Sequence, residues 1–144
     1  MQLTAHWWFW ALLAALAAAL TAVFAKIGLE GVDSDFATLI RTLMVVALLA
    51  LIVFATGKWT NPLALAPRTW LFLALSALGT GASWLFYFRA LQMGQAYQVA
   101  PVDKLSVVLV ALLAVVFLGE RPAPRDWAGI GLVTAGVALL VFKR

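Results

Sequence analysis

The chain has 144 residues, 65% of them hydrophobic and 11% charged, with a mean hydropathy of +1.03. A soluble domain of this size lacks the polar surface to cover so much apolar side chain, so composition excludes a water-soluble globule and points to the membrane class. The net charge of +4 fits Lys and Arg flanking apolar segments rather than a nucleic acid partner, and the absence of cysteine excludes disulfides, thiolate metal sites and thiol chemistry.

Residues 7 to 25 carry no charge. At about 1.5 Å per residue that run nearly crosses a hydrocarbon core of roughly 30 Å, and a helix is predicted over 7–28. The run imitates a secretory leader, but no Lys or Arg precedes it and the rest of the chain is equally apolar, so it is expected to stay as a helix. Alanines 11, 15, 18, 22 and 25 recur at steps of four and three, a seam for close backbone packing rather than a ligand-lining face. Lys26 and Glu30 follow, and Asp33, Ser34 and Asp35 offer an N-cap for a second helix over 36–56. Arg41 lies more than one turn inside that helix, where it either snorkels outward or lines a polar cavity.

The stretch GKWTNPLALAPRT breaks the pattern with Asn61, Pro62 and Pro67 and reads as a loop. A third helix is predicted over 69–90. Its middle, SALGTGAS, is almost entirely small, which allows tight helix packing or exposes backbone to a water-lined cavity; Gly79, Gly81 and Ser83 are the candidate lining residues. Pro101 suits the first position of a fourth helix over 101–119, placing Asp103 in the first turn, where the helix dipole favours an anion. Only Leu105 to Gly119 is uncharged there, roughly 23 Å of helix, so Asp103 and Lys104 either dip below the headgroups or the bilayer adapts. Asp126 caps a fifth helix over 126–142, and Lys143 and Arg144 snorkel at its end.

Five spans put the termini on opposite sides and sort the loops by face. One face holds Lys58, Arg68, Arg121 and Arg125 with Trp7, Trp8, Trp10, Trp59, Trp70 and Trp127, an interfacial aromatic belt. The other collects Lys26, Glu30, Asp33, Asp35, Arg41, Arg89, Asp103 and Lys104, a polar vestibule. Loop charges alone favour a cytoplasmic N-terminus; counting the helix ends reverses the balance, so both orientations are open. No nucleophile–base pair, carboxylate dyad, metal-ligand cluster or phosphate-binding glycine loop is present, and His6 sits among interfacial tryptophans. An enzyme, a metal site and an organic cofactor are therefore not expected, nor is ATP-driven transport by this chain alone.

The stretch FYFRALQMGQAYQVAPVDKLSVVLVALLAVVFLGERP, residues 86 to 122, resembles the third-to-fourth span signature of the drug/metabolite transporter superfamily, in its single EamA-type domain form. Arg41 matches the arginine common near the start of that family's second span, and AKIGLEGVDS resembles its first connection. The resemblance covers nearly the whole chain. It implies an all-α, polytopic membrane protein over residues 1–144, with five transmembrane helices equivalent to one half of a ten-helix transporter. GIGLVTAGVALLVF resembles the dimerising last helix of small multidrug resistance proteins, with Gly131 and Ala135 on its small-residue face. Those relatives carry a glutamate in the first span that this chain lacks, so their proton-for-drug mechanism does not transfer.

The expected function is secondary transport or export of small metabolites, with amino acids and drug-like solutes as candidate classes, by alternating access as a dimer in the inner membrane. The dimer is a homodimer, in one arrangement antiparallel, or a pair with a similar five-helix chain. Arg41, Arg89, Asp103 and Lys104 are the candidate binding or gating residues, with Trp84 and Tyr97 as aromatic neighbours and Lys26 as a further candidate. Asp103 either couples a proton or forms a fixed ion pair with a Lys or Arg that holds the third and fourth helices together. The rival expectations are a non-transporting subunit that needs a separate partner, and flipping of a lipid-linked substrate.

Overall fold

The structure, a computed structural model, describes residues 6–141. The described residues are helical with no strand, and they divide into two compact units after Met93. Four stretches are long and apolar enough to cross a membrane: Trp7–Gly28, Ser34–Ala55, Pro67–Met93 and Ala96–Leu118. One further helix, Pro124–Val141, completes five, and the protein is an all-α, polytopic membrane protein. Phe142, Lys143 and Arg144, which end the predicted fifth helix, lie outside the described residues.

The first unit contains α1 (Trp7–Gly28), α2 (Ser34–Ala55) and α3 (Pro67–Met93). Asp33 caps α2 as its sequence predicts, its carboxylate accepting from the backbone N–H groups of Asp35 and Phe36, both at 3.0 Å. Gly57 ends α2 at φ +64°, and Gly57 and Lys58 donate backward to the carbonyls of Phe54 and Val53, a Schellman closure that needs a left-handed residue. Pro62–Ala64 forms one 3₁₀ turn, and Trp70 Nε1 donates to the Pro62 carbonyl at 3.1 Å. At 27 residues α3 is about 40 Å long, more than a bilayer core needs. Arg68 and Arg89 therefore sit near its two ends without entering the apolar middle.

The buried residues of this unit, Ala22, Leu29, Ser34, Thr38, Phe88 and Leu91, gather where α1 ends, α2 begins and α3 ends. The alanine seam of α1 follows that gradient: Ala22 is buried and Ala25 half-buried, whereas Ala11, Ala15 and Ala18 are exposed. Elsewhere large apolar side chains such as Leu16, Met44, Leu51, Phe72 and Leu78 stand exposed. Helices that satisfy their own backbone tolerate that surface when the surroundings are acyl chains.

In the second unit, α4 (Ala96–Asp103) and α5 (Ser106–Leu113) are followed by a π-helical turn, Ala114–Leu118, and then by α6 (Pro124–Val141); α4 and α5 both pack on α6. Pro101 lies inside α4 rather than at its first position, and Asp103 is the last residue of α4. The dipole argument for Asp103 is thus corrected. Having no N–H, Pro101 cannot bond back to Tyr97, and three residues later, at Lys104, the helix tightens. Lys104 and Leu105 donate three residues back, to Pro101 and Val102, and Val107 and Val108 do the same to Lys104 and Leu105. The fourth span is consequently interrupted at the charged pair. Gly119, at φ +69°, closes the π turn. Asp126, in the first turn of α6, accepts from the backbone N–H of Ala123 at 2.8 Å, the return half of a capping box.

Candidate functional site

Helical spacing places Asp35, Thr38 and Thr42 on one face of α2, and Ser76, Thr80 and Trp84 on one face of α3. The two faces meet. Between them lies an open cleft of about 540 Å³, lined by those six residues with Leu39, Leu73, Ala77, Gly81 and Leu85. The threonine hydroxyls are oriented by their own helices: Thr38 donates to the Ser34 carbonyl at 2.7 Å, Thr42 to Thr38 at 2.7 Å and Thr80 to Ser76 at 3.0 Å. With those hydrogens committed, the three oxygens retain only acceptor capacity. Of the predicted small-residue set, Gly81 lines the cleft, while Gly79 and Ser83 are not among its lining residues.

Asp35 stands at one end of the cleft and is held by Arg89. The guanidinium grips it with a fork, Nε to Oδ1 at 3.0 Å and Nη2 to Oδ2 at 2.6 Å. Two further side chains tie the end of α3 to the same region. Lys26 Nζ donates to the Leu91 carbonyl at 2.5 Å, and Gln92 Nε2 to the Val32 carbonyl at 2.6 Å. A positive group on the last carbonyls of α3 satisfies acceptors that the helix itself leaves open.

Arg41 is half-buried on α2, its guanidinium carbon 4.3 Å from the centroid of the Trp84 ring and 5.3 Å from that of Phe88. Its Nη1 is buried without a hydrogen-bond partner. Arg41 therefore stacks on aromatic faces and is not among the residues that line the cleft.

The second unit carries Tyr97, exposed on α4, and Asp103 and Lys104 at the break after it. Lys104 Nζ lies 3.1 Å from Asp103 Oδ2. That pair joins neighbours in sequence, while Arg89 pairs with Asp35 and so ties the second span to the third. Gly131 and Ala135 are exposed on α6, beside a packed stripe that includes Ile130, Thr134 and Val137.

Sequence reading missed Asp35 as a cleft residue and missed the hydroxyls. The signal was a four-residue repeat on each helix, Thr38–Thr42 and Ser76–Thr80–Trp84, which drew less notice than the glycines between. His6, by contrast, is exposed and stacks on Trp8 with centroids 5.8 Å apart, as an interfacial residue would.

Apolar spans enclosing a cleft with a charged mouth and hydroxyl-lined walls define a multi-pass membrane protein of the transport class. The chain belongs to the EamA-like transporter family, whose profile matches residues 5–142. It is 58% identical over 134 residues to an "uncharacterized transporter in cobO 3'region" of a Sinorhizobium species, covering 93% of this chain and 95% of that one. It is also similar to two proteins described as probable 4-amino-4-deoxy-L-arabinose-phosphoundecaprenol flippase subunit ArnE. With that of Pseudomonas paraeruginosa it is 44% identical over 72 residues, 49% of this chain and 60% of the relative. With that of Pseudomonas fluorescens it is 39% identical over 92 residues, 60% and 78%. No solved structure gives a significant match.

Proposed function

We propose that the protein is a secondary transporter of small metabolites in the inner membrane, working by alternating access as a dimer, with the α2–α3 cleft as part of the solute path. The observation that carries this reading is the pairing of hydroxyl-bearing faces on two helices that are otherwise apolar, around a space large enough for a small solute. Hydroxyls on otherwise apolar spans, with a carboxylate at one end of the space between them, are useful to a polar cargo. Arg41 supports the wall by stacking on Trp84 and is not itself among the lining residues, Arg89 and Asp35 gate one end, and Lys26 fixes the helix end beside them. Asp103, Lys104 and Tyr97 at the interrupted fourth span form a second polar locus that opens or closes with the cycle. Gly131 and Ala135 on α6 form the dimer contact, since a half-size unit needs a second copy to complete two-sided access.

The absence of native cysteine makes the test direct. In proteoliposomes of defined orientation, Thr42→Cys is labelled with an impermeant thiol reagent from each side. Alternating access expects both sides to label, with a substrate shifting the ratio. Labelling from one side only, unmoved by any solute that the protein transports, would sink the reading.

A second reading is a flippase subunit acting with a different five-helix chain, favoured by the similarity to proteins named as such subunits. The mass of the detergent-solubilised complex from the native membrane separates the two: two copies of this chain support the first, one copy with another small chain the second.

A further inference from the structure

The cleft's chemistry narrows what it accepts, given that it is the solute path. Thr38, Thr42 and Thr80 donate to backbone carbonyls, so what they offer a ligand is lone pairs. The single ionisable lining residue is Asp35, and the lining includes no Lys or Arg. Trp84 contributes an indole, and Leu39, Leu73 and Leu85 contribute apolar wall. A carboxylate ligand would meet no cation in the lining and only two neutral donors, the Ser76 hydroxyl and the Trp84 indole N–H, against the acceptors of Asp35 and the three threonines. A ligand rich in N–H donors would satisfy them. Asp35 already displays this preference, since both its oxygens are occupied by a guanidinium fork.

That fork is exchangeable. The side chains of Arg89 and Asp35 are 55% and 46% exposed, and a pair so open to solvent gains little from its own attraction. Asp33, the neighbouring carboxylate, is committed to the α2 cap and does not substitute.

We propose that the α2–α3 cleft binds a protonated primary amine on an apolar body, with Asp35 as the anchoring carboxylate and Arg89 as the cation that the incoming ammonium displaces. The threonine oxygens accept the remaining N–H groups, and the apolar body lies along Leu39, Leu73 and Trp84. Arg89 is thus a competitor for the site as well as a structural tie. The two roles predict opposite signs for its removal.

The test is equilibrium binding of tritiated phenethylamine to the full chain in phosphatidylcholine nanodiscs, with unlabelled 2-phenylethanol and 3-phenylpropionate as competitors of matched skeleton. Saturable binding is expected, with the alcohol and the carboxylate competing at least ten-fold less well than unlabelled amine. Asp35→Asn should weaken binding at least ten-fold, and Arg89→Gln should tighten it at least three-fold. A purely structural ion pair would make both substitutions weaken it. Should Asp35→Asn fail to fold by circular dichroism, Thr42→Val replaces it, with at least a three-fold loss expected. Equal competition by the three skeletons, no saturable binding, or a fall in affinity in Arg89→Gln overturns the proposal. The outcome is separable from that of the transport reading. Amine binding without uptake into liposomes would fail the transport reading alone, whereas uptake of another solute that cleft labelling blocks and phenethylamine leaves untouched would fail the amine proposal alone.

Discussion

Replacing Arg41 with Met sets two opposing terms against each other, and the structure gives their sizes. The guanidinium stacked at 4.3 Å on Trp84 and 5.3 Å from Phe88 contributes about 0.5–2 kcal/mol of cation–π attraction, depending on how far the site is desolvated. Against this, a buried Nη1 without an acceptor costs about 1–3 kcal/mol relative to its hydrated state. Methionine keeps the length and the contact with the rings while removing both terms. The expected change in stability therefore runs from a loss of about 1 kcal/mol to a gain of about 2.5 kcal/mol. Function should respond differently, because a cation beside the cleft is lost. Unfolding of reconstituted protein by sodium dodecyl sulfate, followed by circular dichroism, reads the first quantity, and uptake into proteoliposomes reads the second. The expected pattern is stability no more than about 1 kcal/mol below native, with uptake reduced at least ten-fold. If Arg41→Met instead loses more than about 2 kcal/mol and retains native uptake, Arg41 is a structural residue and the balance drawn here is wrong.

Other substitutions test the packing and capping described above. Gly57→Ala forces a Cβ into φ +64° and should cost about 1–2 kcal/mol in the same unfolding assay, whereas Gly79→Ala, where an added Cβ meets nothing within 4 Å, should cost nothing measurable. Asp126→Ala removes the bond from the Ala123 N–H and should lower stability by about 1 kcal/mol, with Asp126→Asn recovering part of it. Gly131→Leu combined with Ala135→Leu should leave helix content intact, since both positions are exposed, yet shift the protein from dimer to monomer in light scattering. A dimer that survives that pair places the contact elsewhere.

Spans were readable because an uncharged run of about twenty residues has few alternatives to a membrane helix. The Asp33 cap and the fold class followed from the same local rules. Pro101 was harder. Proline at the first helical position and proline five residues inside a short helix share the same preceding sequence, and what distinguishes them is whether residues 96 to 100 have begun the helix. The partner of Arg89 is 54 positions away in sequence, a distance that no local pattern encodes. Charges flanking spans can be listed from a sequence, but which carboxylate meets which guanidinium is decided by helix rotation. The stacked position of Arg41 depends in the same way on Trp84 and Phe88 lying on the facing helix.

The threonine bonds that set the polarity of the cleft also set the stiffness of its wall. Each hydroxyl of Thr38 and Thr42 shares a carbonyl already engaged in the main-chain ladder of α2, and such sharing loosens the ladder and favours a bend on that side. Two shared carbonyls, Ser34 and Thr38, fall on successive turns near the Asp35 end of the helix, and a third, that of Ile52, lies in its last turn, where Thr56 donates to it. A bend at the Asp35 end narrows or widens the space beside Thr80 and Trp84 without breaking a turn of helix. The face of α2 that lines the cleft thus carries two of these shared carbonyls.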